Sequence, residues 1–191
     1  MQFNIHSHLW NKHAFLSASK YHWVNYSPEQ LIKRYEAAAA AAKGTEIHEH
    51  AAWLIENRHK MANHKKALNM FVNDAIGFRM SPELVLYYSD NCFGTADALS
   101  YTEVPDGKGI LRIHDLKTGT TPVKMTQLEV YAAMFCLEYG KIPSELEIYC
   151  AIYQGNAIIP HIPDPQVIAD IMVTIVDHDK TLNEYMAGEM M

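Results

Sequence analysis

Apolar residues along this chain keep two different periods. Before Gly77, and again from Met125 to Tyr139 and beyond Pro165, they recur every three to four residues, as one face of a helix does; between Leu84 and Lys117, β-branched, aromatic and alternating positions take over, as in strands. The helical opening reads as several pieces. Ser17-Ala18-Ser19 starts a short aromatic helix ending near Tyr26, with a hydroxyl available to cap free N–H groups. Ser27-Pro28-Glu29 starts another, with Ser as cap, Pro in the first turn and an acid beside the helix N-terminus. That helix runs through Leu31, Ile32, Tyr35 and the alanines 37–42. Gly44 is expected to end it, and Thr45 to cap a third helix with Ile47, Ala51, Leu54 and Ile55 on one face. Leu68, Met70, Phe71 and Ile76 close this region ahead of Gly77.

Three strands follow, at Leu84 to Tyr88, Cys92 to Tyr101 and Ile110 to Lys117. Ser89-Asp90-Asn91 and Pro105-Asp106-Gly107-Lys108-Gly109 supply short turns between them, which predicts an antiparallel meander. Met125 to Tyr139 is an amphipathic helix with Leu128, Ala132, Phe135 and Cys136 inward and Gly140 at its end. Glu145 to Gln154 reads as a strand that turns at Gly155-Asn156 into 157–160. Asp164-Pro165 opens a last helix with Ile168, Ile171, Met172 and Ile175 inside, and 185–191 are expected to fray. The pattern predicts one α/β domain with a mixed, mostly antiparallel central sheet flanked by helices.

Composition narrows this picture in three places. A chain of 191 residues that is 49% hydrophobic can bury a single core, and no apolar run is long enough to cross a bilayer. Cys92, Cys136 and Cys150 are an odd, widely spaced set, which fits reduced thiols in a cytoplasmic protein better than a disulfide frame or a zinc or iron–sulfur site. A formal net charge of -6 argues mildly against nucleic-acid binding, unless a local basic patch carries it. The one basic concentration is Arg58-His59-Lys60 with His64-Lys65-Lys66, read as a helix face. Lys60, Lys65, Lys66 and Lys124 are the candidates for phosphate contacts.

Chemistry concentrates in the third strand. Side chains alternate along a strand, so Asp115 and Lys117 extend the apolar row of Leu111 and Ile113. A carboxylate and an ammonium at the end of such a row are costly to bury without partners. Asp97 stands among small residues on the second strand, where Asp is uncommon. His48 lies near the buried edge of its helix. Gln127 and Tyr131 are four residues apart and share a face of the helix that follows Lys117. Of eleven histidines, most are expected on the surface or in packing. His6-Ser7-His8 would bring two imidazoles together if it were a strand.

Taken in order, Gly44-Thr45-x-x-His48, Gly94-Thr95-Ala96-Asp97, Asp115-Leu116-Lys117-Thr118-Gly119 and Gln127-x-x-x-Tyr131 resemble the motifs of the RecB-like branch of the PD-(D/E)xK nucleases. The Ser17-Ala18-Ser19 opening is similar to that of phage-encoded members. One departure is Ala96, which stands where the family name places Pro. The resemblance implies a restriction-endonuclease-like core within one nuclease domain over 1–191: a helical part at 1–43, the catalytic core at 44–160 and a C-terminal helix at 161–191.

The resemblance also implies roles. His48, Asp97, Asp115 and the Leu116 carbonyl would bind Mg²⁺ or Mn²⁺, Lys117 would position or activate water, and Gln127 and Tyr131 would support the site or contact the DNA backbone. The expected activity is metal-dependent hydrolysis of DNA, as an exonuclease acting on double-stranded ends in phage recombination or replication within a bacterial cytoplasm. Expected partners are DNA, a single-strand annealing protein and further copies of the chain, with no membrane. Two alternatives stand beside it: a non-catalytic nuclease fold used as a DNA-binding or assembly module, and a different metal hydrolase built on His6, His8 and His48.

Overall fold

The structure is a computed structural model and describes residues 14–105 and 107–189. The His6-x-His8 pair and Asp106 lie outside the described residues. The chain divides into two compact units, with the boundary between Thr45 and Glu46. The first holds a 3-10 helix at Ala18–Asn25 and the opening of α1 (Pro28–Glu56). The Trp23 indole donates to the Ser17 carbonyl (2.8 Å), and Phe15 meets Tyr35 edge to face. Ser27 and Gln30 cap α1 reciprocally: the Gln30 N–H donates to Ser27 Oγ (3.3 Å) and the Ser27 N–H to Gln30 Oε1 (3.1 Å).

The expected break at Gly44 does not occur. α1 is one helix of 29 residues, and Thr45 Oγ1 donates back to the Ala41 carbonyl (3.3 Å) instead of capping a new helix. A helical glycine costs only about 1 kcal/mol, and the alanine run before it is strongly helical.

The second unit is built on a five-stranded sheet in the order β1 (Ser81–Ser89), β2 (Cys92–Thr102), β3 (Gly109–Lys117), β4 (Leu146–Gln154), β5 (Ala157–His161). Neighbours are antiparallel except β3 and β4, which are parallel. A parallel step needs a crossover, and α3 (Thr126–Tyr139) supplies it. α3 and α4 (Pro165–Glu189) close one core with Leu86, Leu111, Ile113, Leu128, Phe135 and Ile168. α2 (Ala67–Gly77) and the last turns of α1 close the other, with Leu54, Phe71, Val72, Leu116 and Tyr153. The sheet is thus buried on both faces, and the molecule is α/β as expected.

Two expectations are corrected. α4 continues through Tyr185 to Glu189, so the described part of the tail is helical. The basic stretch is not a helix face: α1 ends at Glu56 and α2 starts at Ala67, leaving Lys60, Lys65 and Lys66 exposed in the connection. Arg58 takes a left-handed φ of 53°, which a helix cannot continue through. Asn73 then holds both the N–H and the carbonyl of Met61, and Asn69 donates to the Ala62 carbonyl, so the connection is tied to α2 by side-chain amides. Among the described residues no helix is long and apolar enough to cross a membrane.

Candidate metal centre at a strand fork

β2 and β3 pair from Thr102↔Ile110 up to Ala98↔His114, and no pairing continues beyond. The next position on each strand is an acid, Asp97 and Asp115. β1 and β2 are distorted at the same level. Pro82 pairs with Ala98 and Leu84 with Ala96, while Glu83, which falls opposite Asp97, has a φ of +46°. The distortion reverses the facing of β2, so that Ala96 belongs to the α3 core and Ala98 to the α2 core. The β1–β2 ribbon therefore leaves the sheet at Asp97, and a fork opens between it and β3.

Asp97 occupies the fork. Its Oδ2 accepts the Leu116 N–H at 2.7 Å, and its Oδ1 lies 3.3 Å from His48 Nδ1. The side chain thus links β2 to β3 and to α1. Asp115, with Lys117, continues the buried row of Leu111 and Ile113 on β3. Its side chain is 4% exposed. The Lys117 ammonium stands 3.1 Å from Oδ1 and 3.0 Å from Oδ2, but it donates a hydrogen bond only to Oδ1. Asp115 Oδ2 is buried and receives no hydrogen bond, an uncommon state for a carboxylate oxygen.

Lys117 is held from its other side as well. Its ammonium donates to Gln127 Oε1 (2.9 Å), Gln127 Nε2 donates to Tyr131 Oη (3.3 Å), and Tyr131 donates to the Thr95 carbonyl (2.6 Å). A carbonyl only accepts, so the direction of the chain is set from Thr95 outwards. Gly94 makes room for the Tyr131 ring: a Cβ there would lie 3.2 Å from its Cε1. On the neighbouring strand, Gln154 donates to the carbonyls of Gly119 (2.7 Å) and Thr121 (2.9 Å), fixing the loop that joins Lys117 to α3.

Three groups of the fork have shifted acidities. His48 is raised, chiefly by its contact with Asp97, against the opposing effect of burial. Asp115 is raised by burial and then by the charge of Asp97, with Lys117 acting in the other direction. Glu83 is raised by burial and by Asp97. Donor atoms of His48, Glu83 and Asp97 all lie within 4.8 Å of one another. Carboxylates this close repel, and a cation among them would relieve it. An imidazole and hard carboxylate oxygens, one of them buried and accepting no hydrogen bond, fit a divalent ion such as Mg²⁺ or Mn²⁺.

The structure brings together His48, Asp97, Asp115, Lys117, Gln127 and Tyr131, all of them expected from the sequence. Lys65 and Lys66 precede α2, whose first N–H, from Ala67, donates to the Gly155 carbonyl just beyond β4 (2.8 Å). They therefore lie at the carboxyl end of β3 and β4, the end that carries Lys117. Lys124 is exposed in the loop before α3. Glu83 was not anticipated. The only sequence signal was an acid beside Pro82 at the start of a strand, and nothing in the residue types announces a left-handed backbone there. Comparison with protein-family models gives no match to this chain, and comparison with curated proteins gives none either.

Proposed function

We propose that this chain is a divalent-cation-dependent DNA nuclease with a PD-(D/E)xK-type core, acting on ends as an exonuclease. The reading is carried by one observation. Asp97, Asp115, Lys117 and His48 come from α1, β2 and β3 and meet where the two strands part, with Asp115 Oδ2 buried, ion-paired with Lys117 and accepting no hydrogen bond. A structural ion pair needs neither the fork nor the unsatisfied oxygen.

In this reading Asp97, Asp115, His48 and the Leu116 carbonyl hold Mg²⁺ or Mn²⁺. The bound ion supplies positive charge to the phosphoryl transition state and lowers the pKa of water. Asp97 keeps the fork open and orients Leu116 through its N–H. Lys117 presents an ammonium whose direction is set by Asp115 and Gln127, placing a fixed positive charge beside the attacked phosphate. Tyr131 holds Gln127 in the orientation that accepts from Lys117. Lys65, Lys66 and Lys124 offer exposed charge for the DNA backbone. The overall charge of -6 makes such contacts local rather than general.

Incubation of linear and circular double-stranded DNA with the protein and Mg²⁺ or Mn²⁺ tests the reading. Linear DNA is expected to be degraded from its ends and closed circles spared. Asp115→Ala and Lys117→Ala are each expected to lower the rate on the order of a hundredfold or more. Absence of cleavage with both metals, or cleavage that survives both substitutions, would overturn the proposal.

A further inference from the structure

We infer that a cavity between the first half of β1, the end of β2 and the last turns of α3 is a binding site for a small planar anion with the chemistry of a mononucleotide, its phosphate taken by Arg79 and Lys141 and its base laid against Tyr101 and Tyr139. The site lies away from the fork, and the inference does not rest on the nuclease reading. Tyr101 stands four residues beyond Asp97 on β2, about 13 Å along the strand.

The cavity measures about 510 Å³, within the ~300–1,000 Å³ typical of small-molecule sites. One wall is a row of rings: Tyr101 meets Phe135 at 5.3 Å between centroids, and Phe135 meets Tyr139 at 4.8 Å. Leu84 and Leu99 add apolar surface, and Ser81 and Ser100 add hydroxyls. The row is held in place before any ligand arrives. Gly109 leaves room for the Tyr101 phenol, since a Cβ there would lie 2.6 Å from its oxygen, and the Lys141 ammonium stands 5.0 Å from the centre of the Tyr101 ring. The charged residues that line the cavity are Arg79 and Lys141, both cations. Two acids stand near without lining it: Glu103 pairs with Lys141 at 3.6 Å from a largely exposed position, and Glu138 accepts the Tyr87 N–H at 2.8 Å.

Arg79 reaches this cavity at a backbone cost. α2 ends at Gly77, and two N–H groups then turn back onto it, from Arg79 to the Ile76 carbonyl (3.2 Å) and from Met80 to the Ala75 carbonyl (2.8 Å). Such a closure needs a left-handed residue, and glycine is the usual one. Here it is Arg79, with a φ of 55°. Its side chain is exposed, and among the described residues its guanidinium has no hydrogen bond and no ion-pair partner. A guanidinium matches a phosphate with two parallel N–H donors, and an ammonium adds a point charge beside it. Rings alone would accept any apolar body, and cations alone any anion. The two together in one cavity select a flat ring that carries an anionic group, and every nucleobase offers such a face.

Calorimetric titration of the full-length protein with deoxyadenosine monophosphate tests the site, in a chelator so that no divalent ion draws the phosphate to the fork. Deoxyadenosine and inorganic phosphate serve as the two partial probes, and the monophosphate is expected to bind about tenfold or more tightly than either. Arg79→Gly removes the guanidinium and relieves the left-handed backbone. That variant is expected to melt no lower than the wild type and to bind about tenfold or more weakly. Tyr139→Ala, which removes an exposed ring, is expected to weaken binding about tenfold. Glu103→Gln releases Lys141 from its carboxylate and is expected to tighten binding about threefold. Absence of binding by the wild type up to ~5 mM monophosphate would overturn the inference, as would deoxyadenosine or phosphate binding as tightly as the monophosphate, or Arg79→Gly binding within twofold of the wild type. Failure of the nuclease reading would leave all of these affinities unchanged.

Discussion

Asp115 holds a carboxylate where water scarcely reaches it. Burial and the charge of Asp97 raise its pKa above the ordinary carboxylate value, and Lys117 only partly offsets them. A group raised on folding favours the folded state while it is protonated, and that contribution is lost as pH rises through the folded value. At neutral pH the ionised Asp115 therefore destabilises the metal-free fold. Asp115→Asn is expected to raise the melting midpoint in the presence of a chelator at pH 7 while abolishing cleavage. Below about pH 4, where the wild-type carboxyl is protonated in both states, the gap should close. A lower midpoint for the variant at pH 7 would contradict this account. The histidines show the same dependence on surroundings. His114 is buried on the α2 side of β3, lowered to about 4 by burial and by Arg112. It is a neutral packing residue, next to Tyr153 Oη at 3.1 Å. His48 is half-buried beside an acid and is shifted upwards. Both are histidines near apolar neighbours in the sequence. Only the third dimension, an Arg and aromatic rings for one and Asp97 for the other, separates their roles.

Among the elements, the Tyr131 phenol ties α3 to β2 by a hydrogen bond, beside the ring contact of Phe135 with Tyr101. Tyr131 donates to the Thr95 carbonyl two residues before Asp97 and accepts from Gln127, which in turn accepts from Lys117. Tyr131→Phe removes the bond to Thr95 and is expected to cost about 1 kcal/mol in urea unfolding. It also frees the Gln127 amide to rotate, so kcat should fall more than KM rises. Gly94→Ala, whose new Cβ would press on the Tyr131 ring at 3.2 Å, should mimic the kinetic defect with the phenol intact. A Tyr131→Phe variant with unchanged kcat would remove Gln127 and Tyr131 from the proposed account of Lys117. The limits of β2, β3, α3 and β4 were close to legible because turn residues bracket them and their apolar positions keep one period. The face shared by Asp115 and Lys117 followed from the same period. α1 was misread because Gly44-Thr45 has the residue types of a helix end, while the alanine run before it continues the helix at small cost. The fork was not legible. It depends on where β2 stops pairing with β3 and on a left-handed residue at Glu83, and neither leaves a pattern in hydrophobicity.

For the molecule as a whole, the proposed metal site would couple cation binding, protons and stability. His48, Glu83 and Asp115 all have raised pKa values in this fold, and in the proposed reading His48 and Asp115 would have to be deprotonated to act as ligands. The stabilising His48–Asp97 contact is fully present below the ordinary histidine value and is lost as pH rises through the raised one. Over the same rise the ionised carboxylates repel more strongly. The metal-free protein is therefore expected to lose stability from about pH 5 to pH 8 through these groups. In the proposed reading a cation would reverse the sign, because it would bind the deprotonated set and stabilise the folded state by mass action. The gain in melting midpoint on adding Mn²⁺ should accordingly be small at pH 5 and grow towards pH 8. Calorimetric titrations in buffers of different ionisation enthalpy should show protons released on binding near pH 6.5. Glu83→Gln should flatten the pH dependence by removing one titrating carboxyl beside Asp97, and Asp115→Asn should flatten it over the acidic part of the range. A Mn²⁺ stabilisation that is equal at pH 5 and pH 8, with no proton release, would separate metal binding from these three residues and with it the chemistry assigned to the fork.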